Sequence, residues 1–193
     1  WRPAGEDDRN VSPVAYWSIV DEQRRQVTAS VLEDTDAIGP DGYADPGSLG
    51  CNYLYRVHQD GEGILWVGSE RGLYRFDAKS GRFALVPLQA EGGGSAQPDM
   101  INDIREDRNG RLWIGTREGL VSLDPGTGIS SRYRNNPFDP TSLSSDTVYT
   151  ICEDRSGLIW VGTGDKGVNR FNPNQKKFSH YRSIPGKADS LGS

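Results

Sequence analysis

Glu106-Asp107-Arg108-Asn109-Gly110-Arg111-Leu112-Trp113-Ile114-Gly115-Thr116 is written into the chain three times. The earlier copy runs Gln59-Asp60-Gly61-Glu62-Gly63-Ile64-Leu65-Trp66-Val67-Gly68-Ser69. The later one runs Glu153-Asp154-Arg155-Ser156-Gly157-Leu158-Ile159-Trp160-Val161-Gly162-Thr163. The tryptophans at 66, 113 and 160 are separated by 47 residues in both steps. A fixed period in the forties built from strand-like runs specifies a propeller or a solenoid, and it outranks any local reading.

Each repeat reads as four short strands joined by turn residues. In the third, Val148-Tyr149-Thr150-Ile151-Cys152 is a β-branched and aromatic run suited to a strand. Asp154-Arg155-Ser156-Gly157 supplies a tight turn, because Asp bonds back to its own backbone and Gly accepts a positive φ. Leu158-Ile159-Trp160-Val161 is a short apolar run expected to be buried on both faces. Val168-Asn169-Arg170-Phe171 mixes apolar and polar positions, and Phe178-Ser179-His180-Tyr181 makes a more polar fourth strand. The third strand recurs at residues 73–77 and 120–124, and the fourth at 83–86 and 130–133. A small sheet of this kind cannot bury both faces alone, so the copies are expected to stack as propeller blades.

The recurring set Asp60, Gly63, Trp66, Gly68, then Asp107, Gly110, Trp113, Gly115, then Asp154, Gly157, Trp160, Gly162 is read as structural. A residue present in every blade serves the blade, and catalysis would need an asymmetric set. All three tryptophans sit between apolar neighbours, so they read as core volume between blades rather than as sugar-stacking platforms.

These residues resemble the two-component regulator propeller repeat, an acidic-Asp-x-x-Gly-x-Leu-Trp-hydrophobic-Gly-Thr core followed by a Gly-Leu-x-Arg-Phe-Asp strand. Gly72-Leu73-Tyr74-Arg75-Phe76-Asp77 matches that strand in full, and Gly167-Val168-Asn169-Arg170-Phe171-Asn172 matches it with changes. Asn136-Pro137-Phe138-Asp139-Pro140-Thr141-Ser142-Leu143-Ser144 looks like the family's linker. The resemblance spans residues 43–193. It implies an extracytoplasmic or periplasmic sensor propeller at a bacterial inner membrane. Such propellers often detect an oligosaccharide and pass the signal to a cytoplasmic kinase or cyclase, with a dimeric parent. The implied partners are the remaining blades and the downstream signalling domains.

At 193 residues, 34% hydrophobic, with 24 Gly and 11 Pro, the chain has material for a β-rich core with many turns. A formal net charge of −5 and the lack of a basic stripe argue against nucleic acid as partner. No apolar run is long enough to cross a bilayer, so no membrane contact is expected within this segment. The chain opens on Trp1 and reads as an excerpt of a longer polypeptide.

Taken in order, residues 1–52 form a divergent partial blade with an acidic inserted linker. Residues 15–21 resemble a third strand and 26–32 a fourth, with a helix over 20–32 as the alternative. The linker at 33–47 carries Asp34, Asp36 and Asp41 but lacks the full pattern of a calcium loop. Blades follow at 53–99, 100–146 and 147–193, the second preceded by Glu91-Gly92-Gly93-Gly94-Ser95. Asp189-Ser190-Leu191 matches the approach to a further blade. The expected fold is therefore an all-β propeller fragment of about three and a half four-stranded blades.

No catalytic, metal or cofactor site is expected. His58 and His180 lie on different strands of non-adjacent blades, and Cys51 and Cys152 sit in non-equivalent places unsuited to a disulfide. Binding remains, and the connections between second and third strands differ from blade to blade. Glu70-Arg71, Arg117-Glu118 and Asp165-Lys166 are charged there, and they form the candidate rim for a hydroxyl-rich or charged ligand. The rival readings are a streptogramin-lyase-like propeller enzyme and a WD-repeat-like interaction scaffold. The first lacks a convincing histidine constellation and the second its Gly-His and Trp-Asp signatures.

Overall fold

The computed structural model describes residues 17–20, 26–29, 49, 53–88, 99–183 and 190. The acidic linker, Cys51, the glycine-rich stretch 91–95 and Leu191 lie outside the described residues. The first two strands are β1 (Trp17–Val20) and β2 (Gln26–Ala29), which pair antiparallel with Trp17 opposite Ala29. Residues 17–20 and 26–29 are therefore strands of one hairpin, and residues 26–29 are not helical.

Three four-stranded antiparallel sheets follow, each in simple meander order. Blade 1 is β3 (Leu54–Gln59), β4 (Leu65–Ser69), β5 (Gly72–Asp77) and β6 (Arg82–Val86). Blade 2 is β7 (Ile101–Glu106), β8 (Leu112–Thr116), β9 (Gly119–Leu123) and β10 (Ser130–Tyr133). Blade 3 is β11 (Val148–Glu153), β12 (Ile159–Thr163), β13 (Val168–Asn172) and β14 (Lys177–Tyr181). The all-β propeller fragment expected from the repeat is thus the observed architecture.

Asp60, Asp107 and Asp154 open the turn between the first two strands of each blade. Asp107 Oδ1 accepts from the amides of Asn109 and Arg111, and Gly110 closes the turn at a φ of 76°. Only Gly takes that left-handed conformation without strain.

The core lies between blades. Trp66, Leu73 and Leu88 of blade 1 meet Ile101, Ile104, Leu112, Ile114, Val121 and Leu123. Trp113 and Leu120 of blade 2 meet Leu143, Val148, Ile151, Ile159, Val161, Phe171 and Phe178. In blades 1 and 2 the glycine that follows the last hydrophobic residue of the second strand sets the spacing. A Cβ on Gly68 would stand 2.6 Å from Ile101 Cγ2, and one on Gly115 would stand 2.8 Å from Val148 Cγ1. So the first strand of the next blade packs directly onto the backbone of the second strand.

Blade 3 departs from two expectations. Trp160 is half-buried rather than core, and β12 is not buried on both faces. Among the described residues nothing packs on the side of blade 3 that bears Trp160. Its ring is covered only by its own sheet, with Tyr181 at a centroid distance of 5.5 Å.

Candidate ligand-binding rim

Each second strand ends in Ser or Thr, and that hydroxyl shapes the following hairpin. Ser69 Oγ donates to Gly72 O and accepts from the Arg71 amide. Thr116 Oγ1 donates to Gly119 O and accepts from the Glu118 amide, and Thr163 Oγ1 donates to Gly167 O. These bonds satisfy backbone groups that a tight turn would otherwise leave open. The recurring Ser or Thr is thus a hairpin fastener, a role the spacing alone did not disclose.

On this scaffold the predicted rim residues Glu70, Arg71, Arg117, Glu118, Asp165 and Lys166 are all exposed. Their partners divide them into two groups. Glu118 pairs with Arg134 at 3.1 Å, and its carbonyl accepts from Arg132 and Arg134. Arg132 is itself buried against Asp99, so this hairpin is anchored to β10. Asp165 pairs with Lys166 at 3.4 Å. A hydrogen bond from Ser145 holds its carboxyl below the usual range, and Lys166 acts in the same direction. Glu70, Arg71 and Arg117 form no ion pair among the described residues.

The same end of each blade also carries the start of its first strand. Glu70 N donates to Tyr53 O, Gly119 N to Asp146 O in the linker that leads into blade 3, and Gly164 N to Thr147 O. Tyr55 and Tyr149 stand there 46% and 57% exposed, and a Cβ on Gly164 would lie 3.2 Å from the Tyr149 ring. Sequence reasoning passed over these tyrosines. The signal available was their asymmetry, since blade 2 has Asn102 at the equivalent position.

The histidines do not form a shared site. His180 Nε2 lies 2.7 Å from Ser142 O, where it fastens the linker 134–147 to β14. His58 Nε2 is buried and faces Glu106 Oε2 at 3.9 Å across the seam between blades 1 and 2. Cys152 carries a free, exposed thiol.

Blades built on a Trp-bearing meander of this kind define a β-propeller segment. The sequence profile of the two component regulator propeller family matches residues 95–118 and 142–165. No curated protein matches the chain. Among solved structures, the extracellular domain of BT3049 from B. thetaiotaomicron, classed as a hybrid two component system, is 29% identical with a TM-score of 0.62. That match covers 70% of this chain and 19% of the other. The extracellular domain of BT4673 from the same organism is 20% identical over 88% of this chain and 20% of its own, also with a TM-score of 0.62. A gluconolactonase-like structure at 19% identity and a TM-score of 0.53 covers 76% of this chain and 56% of its own, and it shares the fold alone. The chain spans about a fifth of the length of the two extracellular domains.

Proposed function

We propose that this segment is part of a non-enzymatic, ligand-sensing propeller on the extracytoplasmic side of a membrane-bound signal-transduction protein. The family repeats and the likeness to the extracellular domain of a two component system support that reading. The observation that carries it is a contrast within the blades. The turn aspartates that repeat are spent on hydrogen bonds within their own blades, whereas the hairpin tips differ from blade to blade.

The ligand class follows from what the rim offers. Arg71 and Arg117 present guanidinium donors without an ion-pair partner among the described residues, and Tyr55 and Tyr149 present ring faces. Aromatic rings and planar donors at the same end of the blades suit an oligosaccharide, whose ring faces stack and whose hydroxyl or acidic groups accept hydrogen bonds. Calorimetric titration of the complete ectodomain against a panel of plant, host and microbial oligosaccharides tests this. The expected result is one tight binder whose affinity falls when Arg71 and Arg117 are changed to Ala. A binder whose affinity is indifferent to both changes would remove the rim from the site.

A further inference from the structure

The glutamates that precede the turn aspartates of blades 2 and 3 reach back to the preceding blade, whereas Gln59 at that place in blade 1 bonds within its own turn, to Gly63 O. Glu106 reaches back to blade 1, where its Oε2 accepts from Gly61 N at 2.8 Å. Glu153 reaches back to blade 2 in the same way, accepting from Arg108 N at 3.0 Å. Gly61 and Arg108 are equivalent positions, one residue after the turn aspartate, and the difference between them changes the seam. Arg108 adds its side chain, with Nε on Glu153 Oε1 at 2.6 Å, one amino nitrogen on Asp154 O at 2.7 Å and the other on Arg155 O at 3.2 Å. Gly61 has nothing to add.

The first strands repeat the contrast. Between blades 2 and 3, Asn102 Nδ2 donates to Val148 O at 2.8 Å and Asp103 Oδ2 accepts from Ile151 N at 2.9 Å. The equivalents facing blade 2 from blade 1 are Tyr55 and Arg56. Arg56 pairs with Asp103 at 3.0 Å, side chain to side chain, and Tyr55 is exposed. His58, next along that seam, has a buried Nε2 without a hydrogen bond. The apolar parts differ too. Trp113, Tyr133, Phe171 and Phe178 interlock across the second seam, with centroids 4.5 to 6.2 Å apart, whereas the first is aliphatic around a single Trp66.

We propose that the seam between blades 1 and 2 is a built-in hinge, opening between Gly61 and Glu106, while blades 2 and 3 move as one body. The two seams share one repeat geometry and, among the described residues, differ in the number of backbone groups tied across them, so the less fastened one opens first. This device is independent of ligand identity. In a sensor it gives occupancy a defined place at which to displace one blade against its neighbour.

Amide exchange by NMR on the full chain tests the hinge directly. After correction for intrinsic rates, the Gly61 amide should exchange at least about tenfold faster than the Arg108 amide, the scale of one charge-assisted hydrogen bond. Gly61→Arg should slow exchange at position 61 toward the Arg108 value. Gly61 has no positive φ, and a Cβ there would meet only the end of the Glu106 side chain, at 3.3 Å. Arg108→Ala should speed exchange at Ile151 N, which spans the second seam. Equal protection of Gly61 and Arg108 in the native chain would overturn the hinge, whatever the titrations show. If Gly61→Arg does not fold, an unchanged Ile151 amide in Arg108→Ala overturns it as well.

Discussion

The indole Nε1 of Trp113 donates to Asp107 Oδ2 at 2.8 Å, six residues back along the chain and across the first turn of the blade. The same bond joins Trp66 to Asp60 and Trp160 to Asp154, at 2.7 Å in each. One carboxylate thus closes its own turn with Oδ1 and fixes the ring that fills the seam with Oδ2. A buried indole N–H needs an acceptor, and the repeat supplies it from the turn it already has. At Asp154 the indole is the main cause that holds the carboxyl below its usual range.

Removing that carboxylate from the buried copy should therefore cost more than loss of a turn. Asp107→Ala leaves the Trp113 N–H buried without a partner, and a cost of about 2–4 kcal/mol is expected from one stranded donor plus the lost turn bonds. Asp107→Asn, which keeps an oxygen acceptor, should cost less. Asp154→Ala should cost less than Asp107→Ala, because Trp160 is half-buried and water can replace the acceptor. Urea unfolding at unchanged m-value measures all three. Equal midpoints for Asp107→Ala and the native chain would show the indole bond to be incidental.

The spacing of the blades should be sensitive to a single methyl. Gly115→Ala places a Cβ 2.8 Å from Val148 Cγ1 and 3.3 Å from the Val148 carbonyl. Overpacking of this kind costs about 1–3 kcal/mol. Shortening the opposing side chain with Val148→Ala should recover part of that loss, so a double-mutant cycle should show favourable coupling. Strict additivity would mean that the blades simply move apart.

How much of this was legible before folding follows from where each interaction runs. The blade was legible, because Asp, Gly and Trp act within one repeat and recur with it. The aspartate's second bond, to Trp, also lay inside the motif, but a turn-cap reading already accounted for the residue. Glu106 and Glu153 act on the preceding blade, so their role depends on Gly61 and Arg108 about a period away. At the rim, the exposed positions were legible as the charged tips that do not repeat. Their pairing was not, since Arg134 meets Glu118 from another hairpin, sixteen positions on.

The seam between blades 1 and 2 should carry two opposing pH dependences. Burial chiefly lowers the His58 pKa, with Arg105 and Arg56 adding to it against Asp60 and Asp103. The unfolded chain then binds more protons below its ordinary value of 6.5, so stability falls as pH drops into that window. Burial chiefly raises the Glu106 pKa, aided by Asp60, Asp107 and Glu62 against the Gly61 hydrogen bond. The folded chain there binds more protons, so stability falls as pH rises from 4.5 through the raised value. His58→Gln should flatten the acid side of the stability profile, and Glu106→Gln should steepen it. Urea midpoints between about pH 4.5 and 7.5 decide, and identical profiles for all three chains would remove both groups from the linkage.

Lys176 offers the clearest route to a more stable chain. The turn between third and fourth strands ends on Gly81 in blade 1 and Gly128 in blade 2, at φ of 70° and 72°. Blade 3 has Lys176 at that place, at φ 53°, with its amide bonded to Asn172 O at 2.8 Å. A left-handed conformation costs a residue with a Cβ about 1–2 kcal/mol, and the extra freedom of Gly in the unfolded chain returns about half of that. The Lys176 side chain is exposed, so little packing is lost. Lys176→Gly is therefore expected to raise stability by about 0.5–1 kcal/mol, visible as a higher urea midpoint. Lys176→Ala keeps the Cβ and should give no such gain. If both variants behave alike, the strain is absent and the ammonium group, not the backbone, decides the position.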